Sequence, residues 1–262
     1  MLRLITIPIS HYCEKARWAL DRASIVYREE RHIQGIHRLA ARRAGGGSTV
    51  PVLVTSEGAV GESGQILAWV DERIPAEQRL YPPGAADRRE VQDLCRRLDD
   101  GLGPAARRLI YVHMLAVKEL LLAFNNQGVP AWEDRTLRWG WPLMTRFVAH
   151  ALSIEAGVEV GDEAVVWREF DHVAQLLQDG RPYLCGDSFG AADLTFASLA
   201  AATIVPAVYG VRLPQPEVLP PHTAALVRSA RDHPAGRYAL ELIARERGCR
   251  AWPSLDSEGP AD

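Results

Sequence analysis

Leu2-Arg3-Leu4-Ile5-Thr6-Ile7-Pro8-Ile9-Ser10-His11-Tyr12-Cys13-Glu14-Lys15-Ala16-Arg17-Trp18-Ala19-Leu20 decides how the chain folds. Leu2 to Ile7 is a short, apolar, β-branched run that reads as a buried strand, and Pro8 stops it. From Glu14 to Arg22 the pattern turns helical, with Ala16, Ala19 and Leu20 on one face and Lys15, Arg17 and Asp21 largely off it. Ser10 stands where the N-cap falls, and Cys13 lies in the first turn. Such a junction aims unpaired N–H groups and the positive end of the helix dipole at one spot, which suits an anionic sulfur. The same residues also read as an ordinary cap followed by a buried small cysteine.

Working outward, Ile25–Glu30 is a second strand candidate, and Gly35–Ala44 suggests an irregular helix. Val50–Val54 is a third strand, Ala59-Val60 begins a fourth after the Glu57-Gly58 turn, and Ser63 opens a helix through Ile66, Leu67, Trp69 and Val70. The order β-α-β-α-β-β-α predicts one compact α/β layer structure. Ile74–Asp87 holds Pro75, Pro82, Pro83 and Gly84 and reads as a linker. Beyond it the strand signal disappears. Helices are expected near Arg88–Phe124, bent at Gly101–Pro104, and over Asp134–Ala156, Asp162–Asp179 and Ala191–Tyr209. Two more are expected over His222–Arg231 and Ala235–Arg247. The expected division is an α/β domain over 1–76, a linker over 77–87, an all-α domain over 88–250 and a flexible tail over 251–262.

A chain of 262 residues accommodates two domains, and shares of 47% hydrophobic and 24% charged residues are ordinary for a globular protein. The net charge of -3 gives no long-range attraction for nucleic acid or an anionic membrane. Basic charge rests almost wholly on arginine, Lys15 and Lys118 being the only lysines, which reads as compositional bias and not as a binding surface. Cys13, Cys95, Cys185 and Cys249 form neither a C-x-x-C pair nor a zinc-ligand spacing, so no metal is expected. Met1–Ile9 is too short for a signal peptide, and no apolar run reaches the roughly 18–20 residues needed to span a bilayer. A reducing cytoplasm is the expected location.

Two further stretches carry chemistry. In Thr49-Val50-Pro51-Val52 a proline opens a strand; a cis Val50–Pro51 bond would leave Val50's backbone groups free to pair with an extended peptide. Gly61-Glu62-Ser63-Gly64-Gln65 is again a strand-to-helix junction, where bare amides and the Ser63 hydroxyl suit a carboxylate and Glu62 suits an ammonium group. Glu62 and Ser63 equally read as a helix cap with an acid in the first turn.

Together these three sites resemble the glutathione transferase superfamily. The resemblance rests on Ser10 to Leu20, Thr49 to Leu53 and Glu62-Ser63 with Ile66, and on Leu80-Tyr81-Pro82 and Gly186-Asp187-Ser188-Phe189-Gly190-Ala191-Ala192-Asp193-Leu194. It implies a thioredoxin-like N-terminal domain, an all-helical C-terminal domain, and a detoxification-type enzyme that activates glutathione, or another small thiol, against a small-molecule electrophile or for its isomerisation. By position, Ser10 takes the place of the serine-type catalytic residue, which is also the reactive-cysteine position of omega and glutaredoxin-like members. Pro51 would be the family's cis-proline, Val50 the partner of the cysteinyl backbone, and Glu62 and Ser63 the holders of the γ-glutamyl end. Asp193 would be the buried acid of the helix-capping motif, with Gly190 at a position usually held by Ser or Thr. A homodimer is implied as well. No basic residue precedes Val50 to hold the glycine carboxylate, which leaves His37, Arg42 or Arg43.

Ser10 is then a hydrogen-bond donor to a thiolate. His11 does not make it a Ser-His nucleophile, because adjacent residues at a helix start do not face each other in triad geometry. Cys13 offers a rival chemistry, thiol–disulfide exchange or deglutathionylation, if its sulfur reaches the site; the remaining alternative is a binding protein that keeps the fold without catalysis. The electrophile is expected between the domains, with Tyr12, Tyr111, His113 and Met114 lining its site and Trp132, Trp139 and Trp141 shaping the site or packing the domain. Gly45-Gly46-Gly47-Ser48 is no phosphate loop, since it precedes a strand and lacks the following Gly-Lys-Ser/Thr.

Overall fold

The structure is a computed structural model that describes residues 1–247. The expected tail and Cys249 lie outside the described residues. The first seventy residues form β1 (Leu2–Thr6), α1 (His11–Arg22), β2 (Tyr27–Arg31), α2 (Ile36–Arg43), β3 (Val52–Thr55), β4 (Gly58–Gly61) and α3 (Ser63–Asp71). The sheet order is β2-β1-β3-β4. β2 runs parallel to β1 through the α1 crossover, and β3 and β4 run antiparallel to their neighbours. Leu4 and Leu53 pair across the sheet and are fully buried beneath α1 and α3, which explains the apolar β-branched runs.

From Ala85 onward the chain is helical: α4 (Ala85–Asp100), α5 (Leu102–Met114), α6 (Lys118–Asn125), α7 (Ala131–Trp139), α8 (Trp141–Ala151), α9 (Val158–Leu176), α10 (Ala191–Ile204), α11 (Pro221–Asp232) and α12 (Pro234–Leu242). α12 runs on into a wider π-type turn over Ile243–Arg247. The single helix expected over 88–124 is three helices. Gly101 breaks the first pair where a Cβ would stand 2.9 Å from the Arg97 carbonyl, and Val117, at φ -112° and ψ 66°, sets off α6. Gly140 and Pro142 divide the stretch expected as one helix over 134–156, and α10 stops at Ile204, just before Pro206.

α10 is the axis of the helical part. Nearly every one of its residues is buried, and it packs on α1, α4, α5, α11 and α12. Its start is fixed by Asp193, whose carboxylate accepts from the Leu184 and Gly190 amides at 2.8 Å each and from the Tyr238 hydroxyl. One hydrophobic cluster runs without a break from Leu4, Trp18 and Leu53 to Leu98, Phe170 and Phe196. Charge joins the halves too. Lys15 on α1 is fully buried and binds Asp99 on α4 at 2.7 Å, and Glu133 on α7 accepts from the Ile33 amide and pairs with His32.

Candidate functional site

Between β1 and α1 the backbone turns at Pro8 and Ile9 so that Ser10 caps α1 in an extended conformation. Its Oγ accepts from the Cys13 amide at 3.3 Å. A hydroxyl has two acceptor lone pairs and one proton, so this cap leaves the O–H as a donor. Ser10 is half-buried and lines a cavity of about 200 Å³ between the sheet and the helices. On the sheet side the cavity is walled by Ile7, Ile9, His11, Tyr12, Thr49 and Val50. On the helical side it is walled by Arg107, Tyr111 and Met114 of α5, Leu121 of α6, and Leu219 and Thr223 at and before α11. Tyr209 closes it, its hydroxyl donating to the Ile9 carbonyl at 3.2 Å.

The Val50–Pro51 peptide is cis, as expected. Val50 lies on the cavity wall, outside the β3 ladder, which begins at Val52. Pro51 is buried behind it. Glu62 and Ser63 sit at the start of α3, where Ile66 makes the first helical bond, to Glu62, and the Ser63, Gly64 and Gln65 amides precede it. Glu62 is exposed, its carboxylate plays no part in the cap, and its φ of 59° holds it in a region that side chains seldom adopt. Neither Glu62 nor Ser63 is among the cavity-lining residues; the apolar cavity contains only the Ser10, Tyr12 and Val50 portion of the expected site.

Tyr12 contributes its ring to the cavity wall, but its hydroxyl donates to the Asp99 carbonyl at 2.7 Å. α5 comes so close here that a Cβ on Gly103 would meet the Tyr12 hydroxyl at 2.1 Å. His11 is buried, and its Nε2 has no hydrogen-bond partner; burial, helped by the charge of Arg107, lowers its pKa to about 3, which leaves it neutral at physiological pH. Cys13 is fully buried behind the cap and absent from the cavity wall. Burial pushes its thiol up although Arg17 and Ser10 pull the other way.

Of the three residues considered for a glycine carboxylate, His37 lies on the cavity wall, and Arg42 and Arg43 are exposed on the last turn of α2. Burial lowers the His37 pKa to about 4. The Gly35 amide donates to its Nδ1 at 3.1 Å, and the same nitrogen lies 3.4 Å from the Ile33 carbonyl. Tyr111 and Met114 line the cavity as expected, whereas His113 points elsewhere and meets the His222 ring edge-on at 4.6 Å. Residue 113 stands two positions from 111, about 200° round the helix. The tryptophans stay outside: Trp132 and Trp139 are exposed, and Trp141 packs against Leu137 and Met114 in the neighbouring clusters.

Sequence reasoning missed Arg107, Tyr209, Leu219 and Thr223. Arg107 had a signal, being four residues before Tyr111 and seven before Met114 and therefore on their face of α5. The other three reach the cavity only through tertiary packing.

Residues 4–78 match the family described as glutathione S-transferase, N-terminal domain. Comparison with curated proteins returns no match. Among solved structures, a glutathione S-transferase of Xanthobacter autotrophicus Py2 is similar, with 19% identity, 98% of each chain covered and a TM-score of 0.58. A possible glutathione S-transferase of Rhodopseudomonas palustris is 15% identical over 95% of this chain and 97% of its own, with a TM-score of 0.60. A glutathione S-transferase of Methylobacillus flagellatus KT, solved with GSH bound, is 16% identical over 91% and 98%, with a TM-score of 0.55.

Proposed function

We propose that this chain, whose residues 4–78 match the glutathione S-transferase N-terminal domain family and which has the fold of solved glutathione S-transferases, activates a small thiol, glutathione by that likeness, toward a small electrophile. The observation that carries this is the Ser10 hydroxyl, whose oxygen accepts from the Cys13 amide and keeps its O–H as a donor, on the wall of a cavity between both halves of the molecule. A thiol with a pKa of about 8.5 is only a few per cent ionised at neutral pH. Lowering that value by about two units takes about 2.7 kcal/mol of differential stabilisation. One hydrogen bond to a charged sulfur supplies roughly 1.5–3 kcal/mol, and the end of α1 adds ~0.3–1 kcal/mol. No general base is needed, consistent with a neutral His11.

In this reading Val50 pairs with the cysteinyl backbone, the α3 amides with Ser63 receive the γ-glutamyl carboxylate, and Glu62 faces the ammonium group. The sulfur forms a bond to an electrophilic carbon; the displaced group leaves with its electron pair, or an added double bond takes up a proton, and the thiol proton passes to water. The rival Cys13 chemistry is disfavoured, because a fully buried sulfur with a raised pKa is neither accessible nor ionised.

The test is Ser10→Ala, read by calorimetric binding of glutathione and by the ultraviolet absorbance of the bound thiolate across pH. The expected result is retained binding, a thiolate pKa raised by one to two units, and a turnover loss of about 10- to 100-fold. An unchanged thiolate pKa removes Ser10 from the chemistry.

A further inference from the structure

Two arginines near this cavity are paired with acids, and one is not. Arg108, the next residue on α5, holds Asp162 through two hydrogen bonds of 2.8 and 2.5 Å, and Arg17, buried beneath the cavity, is bound by Glu14 and Glu29. Arg107 makes no hydrogen bond and no ion pair among the described residues. Its Nε is buried without a partner, and its guanidinium lies 5.9 Å from the centre of the Tyr12 ring. Among the described residues no aspartate or glutamate lines the cavity, and the two histidines on its wall are held neutral by burial. The enclosed space therefore carries one uncompensated positive charge. A half-buried guanidinium that finds no acceptor in its own protein is costly to fold, and the cost is offset when a ligand supplies the acceptor. A second donor is idle at the same cavity: the Thr223 hydroxyl oxygen is buried without a partner. The rest of that wall is apolar, with Ile110, Met114, Leu121 and Leu219, except for the Tyr111 and Tyr209 hydroxyls, which have partners in Gln34 and the Ile9 carbonyl.

We infer that the electrophile is an anionic molecule, a carboxylate on an otherwise apolar body, with its carboxylate held by Arg107 and assisted by Thr223. This deepens the thiol-transfer reading and rests on it for the identity of the ligand as co-substrate. Arg107 is assigned to the co-substrate and not to the thiol because it stands on α5 in the helical wall, whereas Thr49 and Val50, where an extended thiol peptide would pair, stand in the sheet wall. A guanidinium offers two parallel N–H donors that match a carboxylate, which a lysine at this position would not.

Calorimetry of the full chain with 3-nitrobenzoate and its methyl ester tests this, alongside glutathione, in the wild type, Arg107→Leu, Arg107→Lys and Thr223→Val. Arg107 has no partner to lose, so the leucine variant is expected to keep the wild-type melting temperature, and the lysine variant serves if it does not. The wild type should bind the acid about tenfold more tightly than the ester. Arg107→Leu should abolish that preference, Arg107→Lys should keep part of it, and Thr223→Val should weaken the acid about threefold. Glutathione affinity should stay within a factor of about two in all of them. Equal binding of acid and ester by the wild type, or binding of neither, overturns the inference. So does a loss of glutathione affinity in Arg107→Leu with the acid preference intact. A wild type that ignores glutathione yet shows the Arg107-dependent preference keeps the anion site and overturns the thiol reading instead.

Discussion

At the scale of single residues the cap at Ser10 and the sulfur at Cys13, three positions apart, have opposite environments. The hydroxyl reaches the cavity, and the thiol is sealed under the first turn of α1 with its pKa pushed up by burial. Chemical labelling should separate them. With Cys249 replaced by serine, native protein treated with a bulky disulfide reagent should react only slowly at Cys185, which is partly exposed but whose thiol burial pushes up to about 12, and leave Cys13 and Cys95 untouched until it is unfolded. Rapid native labelling of Cys13 would restore the redox alternative. The junction itself was legible in the sequence, because a strand pattern, a proline, a serine and a helical pattern are local signals. Burial of Cys13 was one of the two readings open in the sequence, and tertiary packing decides in its favour. Arg107 lay between: its helical face was readable, but only the packed structure reveals that Arg108 and Arg17 have acids and it has none.

At the scale of elements the decisive contact is between α1 and α5. Gly103 lets the helices approach until the Tyr12 hydroxyl reaches the Asp99 carbonyl. Gly103→Ala should displace that ring, break the bond, and destabilise the fold by about 1–3 kcal/mol, measured by urea titration. Tyr12→Phe should be milder, because it removes only the hydrogen bond. Equal stability of Gly103→Ala and wild type would show that the two helices have slack. The sequence showed where α1, α3 and the strands begin because each carries caps and turn residues. It failed over 88–124, where a run of helix-favouring residues conceals a break after Met114. That break comes from packing: Leu121 faces the cavity, and Leu122 goes to the cluster of Ile33 and Leu137.

At the scale of the whole molecule a buried lattice of charge lies under the cavity floor. Arg17 joins Glu14 on its own helix to Glu29 on β2, Arg31 shares Glu29, and Arg247 reaches Glu14 at 2.9 Å and Asp21 at 2.6 Å. Burial pushes the Glu29 carboxyl up, but Arg17, Arg31 and the Thr6 hydroxyl together outweigh it and bring the pKa down to about 2. A carboxyl with a lowered native pKa contributes stability that is present above its unfolded value, near 4.5, and is lost as pH falls toward about 2. The melting-temperature gap between wild type and Glu29→Gln should thus be full above pH 4.5 and shrink below it. A gap that does not change with pH would mean that the glutamine harms packing and not charge.

The apolar cluster that runs from Leu4 and Trp18 through Leu98 to Phe196 has no seam at the linker. A fragment ending at residue 78 would leave the greasy undersides of α1 and α3 bare and strand the Lys15 ammonium without its carboxylate. Such a piece would clump or be degraded before it could hold any ligand. Each half therefore leans on the other for its core, so the two walls of the cavity stand or melt together.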